Sequence, residues 1–165
     1  MAYFQHQDVN FHYEEMGEGE AIIALHGFSL NTRYWMQTGV AKALSKNYRV
    51  IALDMRAHGK THMEGEQKGY HIDTLVADVD ALADHLHIKK FHLLSHSTGG
   101  MVAIRYAIHQ SQQVAQKNDK AKNKSRLLSL MVSNSSSATK FMNRNFLTDG
   151  LAMEMLAQSI EHLGW

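Results

Sequence analysis

Phe91-His92-Leu93-Leu94-Ser95-His96-Ser97-Thr98-Gly99-Gly100-Met101 contains a strand, a tight turn and the start of a helix. Phe91 to Leu94 form a short apolar run suited to a buried strand. Ser97 stands at the tip of the turn, and two glycines then open an apolar run, Met101 to Ile108, that suits a helix. A serine between a strand and a helix is the setting of a nucleophile elbow. Such a turn strains the backbone of the serine, so the residues two before and two after it must be small. Ser95 and Gly99 meet that demand, although Ser95 replaces the first glycine of the usual G-x-S-x-G. An ordinary strand-to-helix turn rich in Ser and Gly is the alternative reading of this window.

Working outward, the flanking segments supply the other layers of an α/β sheet. Ala21 to Leu25 is a short apolar run followed at once by His26-Gly27-Phe28, and Arg49 to Leu53 is another, ending at Asp54. Runs of this kind suit parallel strands buried on both faces. Leu127 to Val132 is a third. Asn31 or Thr32 can cap a helix running to about Ser45, with Trp35, Val40, Ala41 and Leu44 on its apolar face. Asp73 to Leu86 carries apolar residues three or four apart (Ile72, Leu75, Val76, Val79, Leu82, Leu86), the clearest helical period in the chain. A further helix is expected from Gly99 to about Gln113. Tyr3 to Val9 and Phe11 to Glu15 read as two short strands joined near Asp8-Val9-Asn10, and Met55 to Gly69 as a long polar loop. Strands alternating with helices predict parallel β-α-β units and a mostly parallel open sheet with helices on both faces. Val114 to Ser125, with Lys117, Lys120, Lys122 and Lys124, reads as a solvated extension. Ser133 to Ser137 reads as a polar turn and Phe141 to Gly164 as one or two helices with a Met-rich face, with no strand expected after Ser137.

Composition narrows the function classes. A chain of 165 residues that is 44% hydrophobic and 20% charged has the make-up of one globular domain. A net charge of +1 gives no electrostatic reason to expect nucleic acid or an anionic membrane as partner. No apolar run approaches a membrane span, and the polar segment Met1 to Asp8 does not read as a signal peptide. The lack of cysteine removes disulfides, thiol nucleophiles and thiolate metal sites, and fits a cytoplasmic protein. The twelve histidines are scattered without the helical spacing of a metal site, so no metal and no cofactor is expected.

Three segments together resemble the α/β-hydrolase superfamily, in its broad esterase-like group. Leu25-His26-Gly27-Phe28 is similar to the family's H-G oxyanion loop. Asp54-Met55-Arg56-Ala57-His58-Gly59-Lys60-Thr61 is similar to its D-x-R-G-H-G-x-S loop, departing at Ala57 and Thr61. Ser95-His96-Ser97-Thr98-Gly99-Gly100 is similar to its G-H-S-x-G-G elbow, departing at Ser95. The resemblance runs from about Asn10 to Ser135. It implies acyl transfer from a small-molecule ester, lactone or related carbonyl substrate to Ser97 as nucleophile, with the backbone N–H groups of Phe28 and Thr98 as oxyanion hole. It leaves carboxylesterase, lactonase, C–C hydrolase and cofactor-free haloperoxidase-like readings open. Gly27, Ser95, Gly99 and Gly100 would then belong, with His26 and His96, to the structural motif around the nucleophile. His26, His96 and His58 read as structural rather than catalytic. A serine also argues against the haloalkane dehalogenase and epoxide hydrolase branches, which resemble this chain but place Asp there.

In that family the acid and the histidine base follow the serine in the sequence. Neither position is visible here. Asp149, Glu154, Glu161 and His162 are the late acids and histidine, and all fall in the stretch the family uses as cap. The sequence is therefore expected to be an N-terminal part of the fold, ending after about the sixth strand. Residues 1–140 would form the core of a single incomplete domain and residues 141–165 the start of the cap. Two readings stay open: a serine hydrolase lacking its base, or a non-catalytic α/β domain that is a binding or regulatory module or a degenerate remnant of a hydrolase. The strand Leu127 to Val132 would be left with an open edge able to pair with a second copy.

Overall fold

The computed structural model describes residues 2–63, 70–116, 125–133 and 139–143. Its strands are β1 (Ala2–His6), β2 (Val9–Met16), β3 (Glu20–Leu25), β4 (Tyr48–Leu53), β5 (His62–Met63), β6 (Phe91–His96), β7 (Leu127–Ser133) and β8 (Thr139–Asn143). Its helices are α1 (Arg33–Gln37), α2 (Val40–Leu44), α3 (Ile72–His85) and α4 (Thr98–Gln116). The strands form one sheet in the order β1-β2-β4-β3-β6-β7-β8, with β5 beside β2. The central strands β4, β3, β6 and β7 run parallel. The hairpin β1–β2 joins antiparallel on one side and β8 on the other.

The apolar runs of the sequence are strands buried on both faces. Alternate residues point to opposite sides of a strand. Thus Ile23, Leu25, Ile51, Leu53 and Leu93 pack with Val79, Leu82, Ala103 and Tyr106 of α3 and α4. Ile22, Ala24, Val50, Ala52 and Leu94 pack on the other face with Trp35 and Ala41 of α1 and α2. The periodic segment read from Asp73 becomes α3, whose first free N–H groups are partly met by the His71 ring, accepting from Asp73 N at 3.3 Å.

Several boundaries differ from expectation. The first turn lies at Gln7-Asp8, one residue pair earlier than read, with Gln7 at a φ of 52°. The single helix expected up to Ser45 is two short helices, because Gly39 adopts a φ of 86° that a continuing helix cannot accommodate. Val40, expected on the apolar face, is exposed as a result. The loop after Asp54 contributes β5, and α4 extends through Val114 to Gln116. Ser133, read as turn, closes β7. The clearest correction is β8: residues Thr139–Asn143, partly assigned to helix, pair antiparallel with β7. The free edge of β7 is a template for any following extended segment, and Thr139-Lys140-Phe141 has the β-favouring residues to take it. The β7 edge expected to stay open is therefore paired. The remaining expectations for residues 64–69, 117–124, 134–138 and 144–165 lie outside the described residues.

One charged pair is sealed into this framework. Arg56 and Asp78, both buried, meet through two hydrogen bonds of 2.6 and 2.9 Å, and the guanidinium lies 5.5 Å from the Phe11 ring centroid. Removing one member strands the other in a desolvated site, whereas replacing both with apolar residues does not. Asp78→Ala is expected to cost about 3–5 kcal/mol in urea unfolding. The double change Arg56→Met with Asp78→Leu should cost clearly less; equal or greater loss in the double variant would contradict this reading.

Candidate active site

Ser97 follows β6 directly and precedes α4, with a φ of 52° in the left-handed region that non-glycine residues seldom occupy. A strained residue persists only where its surroundings fix it, and here they do. Ser97 N donates to Ser133 O at 2.9 Å, and Ser97 O accepts from Gly100 N at 2.8 Å. The small neighbours are needed for packing. A Cβ on Gly99 would lie 2.6 Å from the carbonyl oxygens of both Leu25 and His26, and one on Gly100 would lie 2.8 Å from Val132 Cγ1. Ser95 is tolerated in place of glycine because its hydroxyl turns along the sheet and donates to Met131 O at 3.0 Å.

The segment after β3 meets the elbow because β3 and β6 are parallel neighbours, with Leu25 opposite Ser95. Gly99 N donates to His26 O at 3.1 Å. A Cβ on Gly27 would lie 3.0 Å from Ser97 Cβ and 3.2 Å from His96 Cδ2. Among the described residues, neither Phe28 N nor Thr98 N has a hydrogen-bond acceptor. Thr98 opens α4, so its N–H is one of the helix's first unpaired donors and lies at the positive end of the dipole. The structure thus brings Ser97, Thr98, Gly99, Gly100 and the His26-Gly27-Phe28 segment together.

The three histidines near the elbow have other engagements. His26 is fully buried; its Nδ1 donates to Gly27 O at 2.8 Å and its Nε2 accepts from Met55 N at 3.1 Å. The bond accepted at Nε2 requires the neutral ring, and burial pushes its pKa from 6.5 down to about 4. His58 Nδ1 donates to Arg56 O at 2.7 Å, and its ring packs against His26 and, edge-on, Phe28. The His96 ring stacks on Tyr34 at 4.8 Å. Among the described residues no histidine or carboxylate is hydrogen-bonded to the Ser97 hydroxyl. Asp149, Glu154, Glu161 and His162 lie outside the described residues.

What the sequence reading missed is the anchor of these loops. Buried Asp54 accepts from Thr32 N at 2.6 Å, from Lys60 N at 2.8 Å and from His12 Nδ1 at 2.7 Å. Gly59, at a φ of 57°, leaves the carboxylate its place; a Cβ there would collide with it. The D-x-R loop marks Asp54, but no spacing links it to His12 on β2. Among the described residues no cluster of three or more His, Asp or Glu could hold a metal ion. A cavity of about 810 Å³ between β1, α3 and α4 is lined by none of the elbow residues.

The family model described as alpha/beta hydrolase fold matches residues 20–148. Among curated proteins, the mouse (Mus musculus) protein named epoxide hydrolase 4 is 34% identical over 102 residues, 61% of this chain and 28% of its own. A non-heme chloroperoxidase of Kitasatospora aureofaciens is 34% identical over 98 residues, 59% of this chain and 34% of its own. Among solved structures, an epoxide hydrolase from Vigna radiata superposes with a TM-score of 0.66 at 25% identity, over 79% of this chain and 38% of that one. The chain spans about a third of the length of the curated relatives it matches.

The neutral state of His26 carries a pH signature. Its folded pKa lies below the unfolded 6.5, so the unfolded chain takes up the proton first. The contribution is complete above pH 6.5, falls as the pH drops toward 4, and amounts to about 3 kcal/mol in full. Between pH 7 and pH 5 the wild-type chain is expected to lose about 2 kcal/mol more than His26→Gln in urea unfolding. Equal losses in the two proteins would contradict it.

Proposed function

Because the chain belongs to the α/β-hydrolase fold family, we propose that it carries the nucleophile and oxyanion hole of a serine hydrolase acting on small esters or lactones. The observation that carries the proposal is Ser97 at a φ of 52°, with the unpaired N–H groups of Phe28 and Thr98 on the two loops that meet beside it. The names of the relatives include an epoxide hydrolase and a chloroperoxidase, so they do not choose the chemistry. The residue at the elbow tip is what supports acyl transfer: a serine, where the epoxide hydrolase branch is expected to place Asp.

In this reading the Ser97 hydroxyl oxygen attacks the substrate carbonyl carbon and its proton passes to a general base. The carbonyl oxygen becomes an oxyanion held by Phe28 N–H and Thr98 N–H, with the start of α4 adding its positive end. Collapse expels the alcohol, which takes the proton, and leaves an acyl group on Ser97. Water then reverses the sequence. Donors fixed by Gly99 and Gly27 packing need no rearrangement as charge develops, which is where such sites gain most. His26 has both ring nitrogens occupied and is excluded from the role of base.

The 165-residue chain alone is expected to turn over p-nitrophenyl butyrate within a few-fold of its Ser97→Ala variant, because no histidine or carboxylate among the described residues is hydrogen-bonded to the Ser97 hydroxyl and a serine without its base keeps little of the rate. Adding imidazole as an external base should let a fluorophosphonate label Ser97, read by peptide mass spectrometry, with no label at that peptide in Ser97→Ala. Failure to label Ser97 at any imidazole concentration would favour a non-catalytic binding module.

A further inference from the structure

Another serine of this chain, on the opposite end of the sheet from Ser97, is hydrogen-bonded to a histidine whose ring a carboxylate approaches from the other side. Glu20 opens β3, His92 is the second residue of β6 and Ser129 the third of β7. Parallel register sets His92 opposite both Ile22 and Ser129. Glu20 precedes Ile22 by two residues, so the period of a strand puts all three polar side chains on one face. The His92 Nδ1–Ser129 Oγ distance is 2.7 Å. On the other side of the ring, Nε2 lies 3.1 Å from Glu20 Oε2, a charge contact off the N–H axis rather than a linear hydrogen bond. The carboxylate favours the tautomer with its proton on Nε2, which leaves the Nδ1 lone pair facing the serine hydroxyl.

The surroundings of this trio are those of a small apolar ligand site. A pocket of about 220 Å³ is lined by His92 and Ser129 together with Ile22, Leu44, Tyr48 and Met131. The Tyr48 ring stands edge-on to His92, 5.6 Å between centroids. Ser129 lies four residues before Ser133, the acceptor of Ser97 N, which puts it about 13 Å along the strand from the elbow. The two serines therefore do not share a site.

We propose that Ser129 is a second nucleophile of this chain, activated by His92 and Glu20, which accepts a short apolar acyl or phosphoryl group from an activated ester or organophosphorus compound. The Ser129 oxygen bonds to the carbonyl carbon or phosphorus while its proton moves to His92 Nδ1. The bond to the leaving group then breaks, and the leaving group departs with the electron pair and takes the proton. The pocket is below the size of drug-binding cavities, so the transferred group is short. Ser129 pairs with His92 on one side and Asn143 on the other, so its own backbone sits in the ladders and builds no oxyanion hole. The modified serine is accordingly a long-lived product rather than a turnover intermediate.

The test uses the full chain with Ser97→Ala, so that the elbow cannot react. It is exposed to diisopropyl fluorophosphate and digested for mass spectrometry. One diisopropylphosphoryl group is expected on the peptide containing Ser129, formed as the phosphorus–fluorine bond breaks. In His92→Gln the labelling should slow roughly a hundredfold, and in Glu20→Gln it should slow several-fold. Circular dichroism checks that each variant is folded; if His92→Gln is not, the Glu20→Gln rate decides, since Glu20 is a solvent-exposed side chain. No label on Ser129, or a rate indifferent to the substitution that folds, overturns the proposal.

Discussion

The end of β3 presses its backbone directly against the first turn of α4, and the position of Ser97 depends on that contact. Gly99 N–H reaches the His26 carbonyl at 3.1 Å, and there is no space for a Cβ between them. A close approach of two backbones requires glycine on at least one side. Because Gly99 is held against β3, the chain between β6 and α4 has room for only one turn. That turn leaves Ser97 in the left-handed region with its side chain off the strand end. The same contact brings His26-Gly27-Phe28 beside the serine, so the strain and the proximity of the two loops have one cause.

The loops are held from behind by buried polar groups. Asp54 ties together β2 through His12, the segment before α1 through Thr32 N, and its own following loop through Lys60 N. The next residue, Met55, donates to His26, whose other nitrogen fixes the Gly27 carbonyl. A buried carboxylate is costly unless its oxygens are satisfied, and here three donors satisfy it. The result is a loop whose shape is tied by hydrogen bonds of definite direction as well as by the burial of Met55 in the core.

Much of this was legible in the sequence because it rests on local rules. The buried strands at Ala21, Arg49, Phe91 and Leu127 and the helix at Asp73 follow from runs and periods, Ser95 and Gly99 from the steric demand of a tight turn, and Gly27 and Gly100 from the family resemblance. The exceptions have physical causes that are not local. Gly39 splits a helix because a glycine is free to take either hand, which its neighbours do not announce. Thr139–Asn143 becomes a strand because β7 presents an edge to it; Phe141 and Met142 suit either helix or strand in isolation. The partnership of His12 with Asp54 joins a residue on β2 to the first residue after β4, and that of Ser129 with His92 depends on cross-strand register, so neither leaves a spacing in the sequence.

In the proposed serine hydrolase reading, the two N–H groups of Phe28 and Thr98 face the place where an oxyanion forms on a group bonded to Ser97. A crystal structure of the chain phosphonylated at Ser97 tests it most directly. The phosphonyl oxygen is expected within about 2.7–3.1 Å of both Phe28 N and Thr98 N, with Ser97 still at positive φ. A phosphonyl oxygen turned to solvent, with both N–H groups left unpaired, would contradict it.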